Sequence, residues 1–548
     1  MTHSPRPRPR AVPIAIAAAL LLTCAPTPAV GGWSTPQAIR SPLRSAQPPS
    51  NLSVALGTGS SGSILAQRAT PEGTPIVAQG SVRRARIGRL TDVLAGETLS
   101  SAPSPAGAAA VVIRGTAGIT GHVRDPRAPF AAALALGAFS VQTRVAVNSR
   151  GDAVFATAAT GPGAHVVALL IRPARGAPSA PIVVSDGGVI TLKDVAIGAR
   201  GHVAVTWNRG GVLEARTLDP TGVLSPIASL TPPGTQVAEA QIAVDGAGVT
   251  DLAAVVPAPA PPGSFASAVV AAQRPPGGVF SGLAALDSGP AIESLDAVAA
   301  GRHGLVTWLR SAPGAAPDFD PRTRIHAAAR RGAGALRRVT VQSARGGVAT
   351  VSAPRPALAP DGGAVIVSAF GGSVHVARRA AGRSIFPRPR VISTLAGGTP
   401  APAGENATAA AASGQRALVA WNDRDGLARA SVLLPGTRDH SDRERSRPPR
   451  LRSTPPLLDL GTRPATIRAV ASCDRPCRVR IIVRVTGSNA VTLRAQRVLA
   501  SGRRQTIAHQ ISRSLDRRLR IGRIRSARTI ITAANRYGAL VRRTRVLR

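Results

Sequence analysis

Three of the four tryptophans in this chain close the same short phrase. That self-similarity restricts the possible folds more than any other feature. The phrases are Ala204-Val205-Thr206-Trp207, Leu305-Val306-Thr307-Trp308 and Leu418-Val419-Ala420-Trp421. Each follows a Gly-containing turn: Ala199-Arg200-Gly201, Ala300-Gly301-Arg302 and Ser413-Gly414-Gln415. Copies without the tryptophan lie halfway between, at Asp245-Gly246-Ala247-Gly248 before Leu252-Ala253-Ala254, and at Asp361-Gly362-Gly363 before Val365-Ile366-Val367. Further copies precede Val154-Phe155 and Val111-Val112-Ile113. The period is roughly 45–60 residues, within the range of repeat architectures.

Each unit resolves into four short strands. The first ends in the turn, as in Val145-Ala146-Val147-Asn148, and the second is the phrase itself. The third alternates, as in Val212-Leu213-Glu214-Ala215-Arg216. The fourth often follows a proline, as in Ser225-Pro226-Ile227-Ala228 and Ala180-Pro181-Ile182-Val183. Four strands per unit predict a propeller blade. Proline suits an outer strand, where one edge carries no ladder hydrogen bonds. Seven units are clear from about residue 95, and residues 51–90 form an eighth, degenerate one. The last unit stops near Val432-Leu433-Leu434. Its missing fourth strand is read at the other end of the chain, in Trp33-Ser34-Thr35-Pro36-Gln37-Ala38-Ile39.

Residues 436–456 read as a disordered linker: Arg438 to Arg445 is polar and mixed in charge, and prolines follow. Residues 457–548 change character. Arg478-Val479-Arg480-Ile481-Ile482-Val483-Arg484-Val485 alternates, which puts one face inward and one in water. About seven strands in such a length suit an immunoglobulin-like sandwich. The fold expected is therefore all-β: a seven- or eight-bladed β-propeller at 30–435, then a small Arg-rich, immunoglobulin-like β-sandwich at 457–548.

The N-terminus reads as a signal peptide, residues 1–29. Arg6, Arg8 and Arg10 form a basic region, and Ala11 to Leu22 an apolar one too short to span a bilayer comfortably. Cleavage is expected after Ala29. Cys24 then leaves with the leader; its lipidation is the alternative, though Leu21-Leu22-Thr23-Cys24 is a poor lipobox. Two cysteines remain, Cys473 and Cys477, and export predicts that they pair. The expected location is secreted or envelope-associated.

The chain carries a net charge of +41. All but one of its basic residues, Lys193, are arginine, as a GC-rich genome would produce. Residues 451–548 hold 23 Arg against 3 Asp. Arg517, Arg518, Arg520, Arg523, Arg525 and Arg528 cluster there. This cluster is read either as a solvated face or as a contact for an anionic envelope polymer or extracellular DNA, the latter without sequence preference.

The Gly-turn and Val-x-Trp repeats resemble the secreted propellers of high-GC bacteria, including sialidase-like propellers. The tail resembles the immunoglobulin-like modules appended to them, as in its closing Ala533-Ala534-Asn535-Arg536-Tyr537-Gly538. The resemblance is one of architecture and carries no function across. A sialidase would need a Tyr nucleophile, but the only tyrosine is Tyr537. The Asp-box is absent; Ser185-Asp186-Gly187-Gly188 does not continue as one. General glycosidase chemistry needs two carboxylates about 5–10 Å apart. The turn aspartates Asp245 and Asp361 read as capping residues, and Glu214, Glu239 and Glu293 stand isolated in the sequence. His202 and His303 share one repeat position, five residues before the tryptophan, and read as an inherited turn residue. No catalytic residue, metal site or cofactor is assigned. The expected function is a monomeric, non-enzymatic scaffold that binds an anionic polymer, a glycan or another protein of the envelope. The alternative is a diverged carbohydrate-active propeller enzyme.

Overall fold

The computed structural model describes residues 32–34, 37–39, 50–57, 61–70, 74–83, 86–88, 90–104, 107–116, 118–126, 128–137, 142–158, 166–174, 176–260, 266–311, 324–341, 353–370, 373–394, 408–422, 428–434, 451–453, 457–459, 463–464, 466–474, 477–487, 491–499, 504–510, 512–521, 524–535 and 540–547. The expected signal peptide and most of the expected linker lie outside these residues. The described chain is all-β apart from one helix, α1, at Arg513–Ile521.

The repeat units become eight sheets along residues 32–434, antiparallel except where Arg337–Val341 of sheet 6 pairs parallel with Ile385–Phe386. Sheet 1 opens with Ser50–Leu56, sheet 2 with Glu97–Pro103, sheet 3 with Gln142–Val147 and sheet 4 with Ile190–Ile197. Sheet 5 opens with Glu239–Val244, sheet 6 with Ala291–Ala300, sheet 7 with Arg355–Leu358 and sheet 8 with Thr408–Ser413. Sheet 4 shows the common plan: Ile190–Ile197, Val203–Arg209, Val212–Leu218 and Ala228–Ser229 in order. The second strands, built from the repeated phrase, are the most deeply buried, as in Ala109–Gly115 and Thr250–Pro257. Their Ala and Val side chains let neighbouring sheets approach closely on both faces.

A four-stranded sheet cannot bury its apolar faces alone, so each must stack on another. One hydrophobic cluster lies between each consecutive pair of sheets. Leu65 and Val77 of sheet 1 meet Val111 and Ile113 of sheet 2. Val306 and Trp308 of sheet 6 meet Ala253 and Val255 of sheet 5. Sheet 8 packs on sheet 7 through Trp421 and Val367, and on sheet 1 through Leu418, Val432, Leu52 and Ile64. The first strand of each sheet touches the first strand of the next, and Thr408–Ser413 touches Ser50–Leu56.

Sheet 8 takes its outer strand from the beginning of the chain. Gly32–Trp33 and Gln37–Ala38 both pair antiparallel with Ala428–Leu434. Ser34 N donates to Val432 O at 2.8 Å, and Val432 N to Ser34 Oγ at 3.0 Å. Trp33 is 5% exposed and shares a buried cluster with Trp421, while Ile39 enters the cluster shared with sheet 1.

The tail forms two further antiparallel sheets. Sheet 9 contains Leu451–Ser453, Leu457–Asp459, Thr466–Cys473 and Gln505–Gln510. Leu451–Ser453 falls inside the stretch read from sequence as linker, yet Leu451 is buried and pairs with Cys473. Sheet 10 runs in the order Val491–Leu499, Cys477–Gly487, Ile524–Asn535, Leu540–Leu547. The expected alternation holds in Cys477–Gly487: Val479, Ile481 and Val483 are buried, while Arg478, Arg480 and Arg484 are exposed. Cys473 and Cys477 form a disulfide that ties sheet 9 to sheet 10.

Removing residues 30–40 takes away the strand paired with Ala428–Leu434 and leaves a bare, apolar sheet edge. The melting temperature of the deleted protein should fall sharply. The change Trp33→Ala alone should cost about 3 kcal/mol in urea unfolding. An unchanged melting temperature after the deletion would show that this pairing contributes nothing.

Candidate functional site

A group of charged side chains lies where first strands of sheets 3 to 7 meet. Four of those strands carry a register shift: Ser50/Ser53, Thr98/Ser100, Leu192/Asp194 and Glu293/Asp296. A bulge frees main-chain amides from the ladder, and a buried amide must find another acceptor. The preceding sheet supplies it in sheets 2, 4 and 6. Gln67 Oε1 accepts from Thr98 N at 3.0 Å, and Gln142 Oε1 from Leu192 N at 2.7 Å. Glu239 accepts from Ser294 N and Leu295 N, the latter at 2.6 Å. Ser294 has φ of 56°, a left-handed conformation forced on a non-glycine residue by the bulge.

The residue after each of these bulges reaches forward. Ser100 Oγ accepts from Val145 N at 3.3 Å, and Asp194 Oδ2 from Ile242 N at 2.9 Å. Asp296 Oδ2 pairs with Arg355 Nη1 at 3.1 Å. Glu239, isolated in the sequence, therefore shares a neighbourhood with Asp194, Asp296, Lys193 and Arg144. Lys193 Nζ donates to Val237 O at 3.0 Å, and Arg144 Nε to Lys193 O at 3.1 Å. Burial pushes Asp194 up to about 7, against the pull of the Ile242 and Val195 amides. Burial also raises Asp296, with Arg355 opposing it. Asp251, buried beside Asp245, is raised by burial as well.

The other acids serve the repeat. Glu214, also isolated in the sequence, lies opposite Trp207 in the hairpin. Its Oε2 accepts from Trp207 Nε1 at 2.7 Å and from Arg209 Nε at 2.9 Å. In sheet 6 the same task falls to Asp287, contributed by sheet 5. It accepts from Trp308 Nε1 and from Arg310 Nη1, both at 2.9 Å. The sequence signal is Trp-x-Arg, present at Trp207-Asn208-Arg209 and Trp308-Leu309-Arg310. Trp421 lacks the arginine, having Asp423 there, and its buried Nε1 has no hydrogen-bond partner among the described residues. The expected capping role of the turn aspartates is observed: Asp245 Oδ1 accepts from Ala247 N at 2.8 Å and Asp361 Oδ1 from Gly363 N at 2.9 Å.

Asp245 has a second partner that the sequence hid. Arg330, with no exposed side-chain surface, reaches back from sheet 6 to Asp245 Oδ2 at 3.0 Å and to Asp251 Oδ1 at 2.6 Å. Arg330 also donates to Gly332 O at 2.6 Å. Arg124 and Arg379, near the ends of other third strands, likewise donate to the turn carbonyls of Gly107 and Gly362. His202 and His303 occupy equivalent places, as their shared repeat position predicts. Each ring lies against the turn glycine of the next sheet. A Cβ on Gly248 or Gly362 would come within 2.8 Å of His202 or His303. Both glycines also have positive φ, so the turns exclude larger residues twice over.

In the tail, the expected arginine cluster is split between two elements. Arg517, Arg518 and Arg520 belong to α1, with Arg520 Nε paired to Asp516 Oδ1 at 3.0 Å. Arg525 and Arg528 belong to Ile524–Asn535, and Arg523 lies outside the described residues. Among the described residues, no group of His, Cys, Asp or Glu could hold a metal ion, and no helix is long and apolar enough to cross a membrane.

No family model matches the sequence, and neither does any curated protein. Solved structures resemble it weakly. A fungal alcohol oxidase of the AA5 family, in complex with copper, is 12% identical over 94% of this chain and 99% of its own, with a TM-score of 0.36. Prolyl oligopeptidase B from Galerina marginata is 9% identical over 78% of this chain and 56% of its own, with a TM-score of 0.40. A protein from Lactobacillus plantarum is 16% identical over 64% of this chain and 98% of its own, with a TM-score of 0.35. Likenesses of this grade carry no argument about function.

Two predictions follow from the geometry. Arg330→Met leaves Asp245 and Asp251 buried without their cation and should cost about 3–5 kcal/mol at neutral pH. A loss under 1 kcal/mol in denaturant unfolding, roughly the worth of an exposed pair, would contradict that burial. Asp194 has a folded pKa above its unfolded value, so the folded state binds the extra proton between about pH 4 and 7. Its contribution to stability is greatest at the acid end and is lost as pH rises through that window. Asp194→Asn should flatten this part of the stability profile, and an unaltered profile would refute the assignment.

Proposed function

We propose that the protein is an exported, non-enzymatic binding scaffold. In this reading sheets 1–8 form an eight-bladed β-propeller closed by the N-terminal segment, and sheets 9 and 10 form an immunoglobulin-like sandwich. The scaffold holds an anionic polymer, a glycan or a protein of the cell envelope.

The observation that carries the reading is how sheets 1–8 use their acids. Glu214 and Asp287 hold a tryptophan and an arginine, and Asp245 and Asp251 hold Arg330. Glu239, Asp194 and Asp296 bridge one sheet to the next. A catalytic carboxylate must change protonation or partner during turnover. These acids would unlock the sheets if they did so. Support for export comes from the disulfide, which persists in oxidising compartments, and from the basic and apolar N-terminus.

One observation favours the alternative, a carbohydrate-active enzyme. Burial pushes Asp194 up to about 7 and raises the neighbouring Asp296 too, and glycoside hydrolysis uses a pair of carboxyl groups. A glycan and polymer array probed with residues 30–548 separates the two readings. The scaffold reading expects retention of at least one anionic polymer or glycan with no release of sugar. Sugar release that Asp194→Asn abolishes would overturn it, as would an array on which nothing is retained.

A further inference from the structure

We infer that His326 is an acid-operated latch on the outer strand of sheet 6: the neutral ring holds Arg338 in place, and the protonated ring displaces Arg338 from Asp287 and loosens that strand. The inference stands on one side-chain cluster and does not depend on the scaffold reading.

The repeat shows what is particular about this position. The residue opposite the tryptophan in the hairpin is Glu214 in sheet 4, His326 in sheet 6 and Arg429 in sheet 8. Glu214 serves both Trp207 and Arg209 from within its own sheet. A neutral imidazole has a single acceptor and cannot serve two donors. Sheet 6 therefore takes the carboxylate of Asp287 from the outer strand of sheet 5, and Trp308 and Arg310 both donate to it. His326 is left to stack on Trp308, with ring centroids 5.9 Å apart and planes 16° apart.

The outer strand Arg337–Val341 completes the cluster. Arg338 Nη2 lies 2.8 Å from His326 Nδ1, and Arg338 Nη1 lies 3.3 Å from Asp287 Oδ1. A guanidinium only donates, so Nδ1 accepts, and the ring is neutral with its proton on Nε2. Asp287 Oδ2 stands 3.7 Å from the same Nδ1. A proton added at Nδ1 turns the acceptor into a donor. Two cationic donors then face each other at hydrogen-bond distance, and Arg338 must move. Its side chain is 50% exposed, so it has solvent to move into. The new N–H has about 1 Å to close on Asp287 for a charge-assisted hydrogen bond. The indole face of Trp308 also attracts a cation stacked on it. Asp287 is thus paired in both arrangements, and only its partner changes.

The charged groups facing the ring come from every strand packed on it: Asp287 from sheet 5, Arg310 from His303–Ser311, Arg324 from its own strand and Arg338 from the outer strand. Burial lowers the His326 pKa; Asp287 pulls it up, and Arg338, Arg310 and Arg324 push it down. The latch is therefore shut at neutral pH and opens below the ordinary histidine range. There the folded state binds fewer protons than the unfolded chain, so His326 costs stability as the pH falls. What it holds is a joint. Arg337–Val341 pairs with Ala327, Ala328 and Ala329 of sheet 6 and, in parallel, with Ile385–Phe386. Val339 and Val341 pack in one cluster with the buried Phe386.

Global melting would mix this effect with the opposite one of Asp194, so the test is local. Amide exchange of the segment Arg337–Val341 is followed on the full chain between about pH 8 and 4, corrected for the intrinsic rate at each pH. Its protection should fall at least about tenfold as His326 titrates. The outer strand Ala228–Ser229 of sheet 4, whose cluster holds a carboxylate and no histidine, should keep its protection. His326→Gln can still accept from Arg338 but cannot titrate, and should keep Arg337–Val341 protected throughout. Unchanged protection in the wild type would overturn the latch. An equal loss in sheet 4, or in the Gln variant, would assign the effect to carboxylates and overturn it too. A second measurement reads the ring itself by nuclear magnetic resonance. At neutral pH the wild type should show the Nε2–H tautomer, and Arg338→Met should move the His326 titration upward. An Nδ1–H tautomer, or a titration that Arg338→Met leaves in place or moves down, would contradict the inference.

Discussion

The first strands of sheets 2, 4 and 6 each bulge, and the amides released by the bulge are satisfied only by a side chain from the sheet before. Gln67, Gln142 and Glu239 fill that role at Thr98, Leu192 and Leu295. The constraint is severe because the amides lie between stacked sheets. An unsatisfied buried polar group costs about 1–3 kcal/mol, a large fraction of net stability. Ser100, Asp194 and Asp296 then hand the connection to the following sheet. Gln37 Oε1, in the N-terminal strand pair of sheet 8, likewise accepts from Ile87 N of sheet 1 at 3.1 Å.

The same economy changes the meaning of the charge. A net charge of +41 invites a single explanation, but the arginines divide into kinds. Arg330 and Arg379 are buried beneath turns and bind carbonyls or carboxylates of the fold. Arg209 and Arg310 share a carboxylate with a buried tryptophan. Arg478, Arg480 and Arg484 of sheet 10 are exposed and have no ion pair among the described residues.

Much of this plan was legible in the sequence because it is carried by local pattern. The recurring phrase gave the second strands, its turns gave their starts, and Trp33 to Ile39 matched the strand missing from sheet 8. Alternation along Cys477–Gly487 marked which side chains face inward. Other features were hidden because their partners lie in another sheet. Glu239 looks isolated until the bulge at Ser294 is placed beside it, some fifty residues on. Arg330 meets Asp245 and Asp251 across a gap about half as long again. Helix α1 escaped for a different reason. Its arginines drew attention to charge, while Ile511, Leu515 and Leu519, spaced by four, carried the helical signal. The bulges themselves leave no compositional trace that a single sequence displays.

The central claim is that the beginning of the chain completes sheet 8 and so joins the two ends of the sheet array. Amide hydrogen exchange on the full chain tests it most directly. Ser34 N and Val432 N bond across that pairing, and Trp33 and Ile39 flank it in buried clusters. The account predicts that both amides exchange as slowly as those of Val203–Arg209 in the middle of sheet 4. Exchange of Ser34 and Val432 at the rate of a frayed terminus, with Val203–Arg209 still protected, would contradict it.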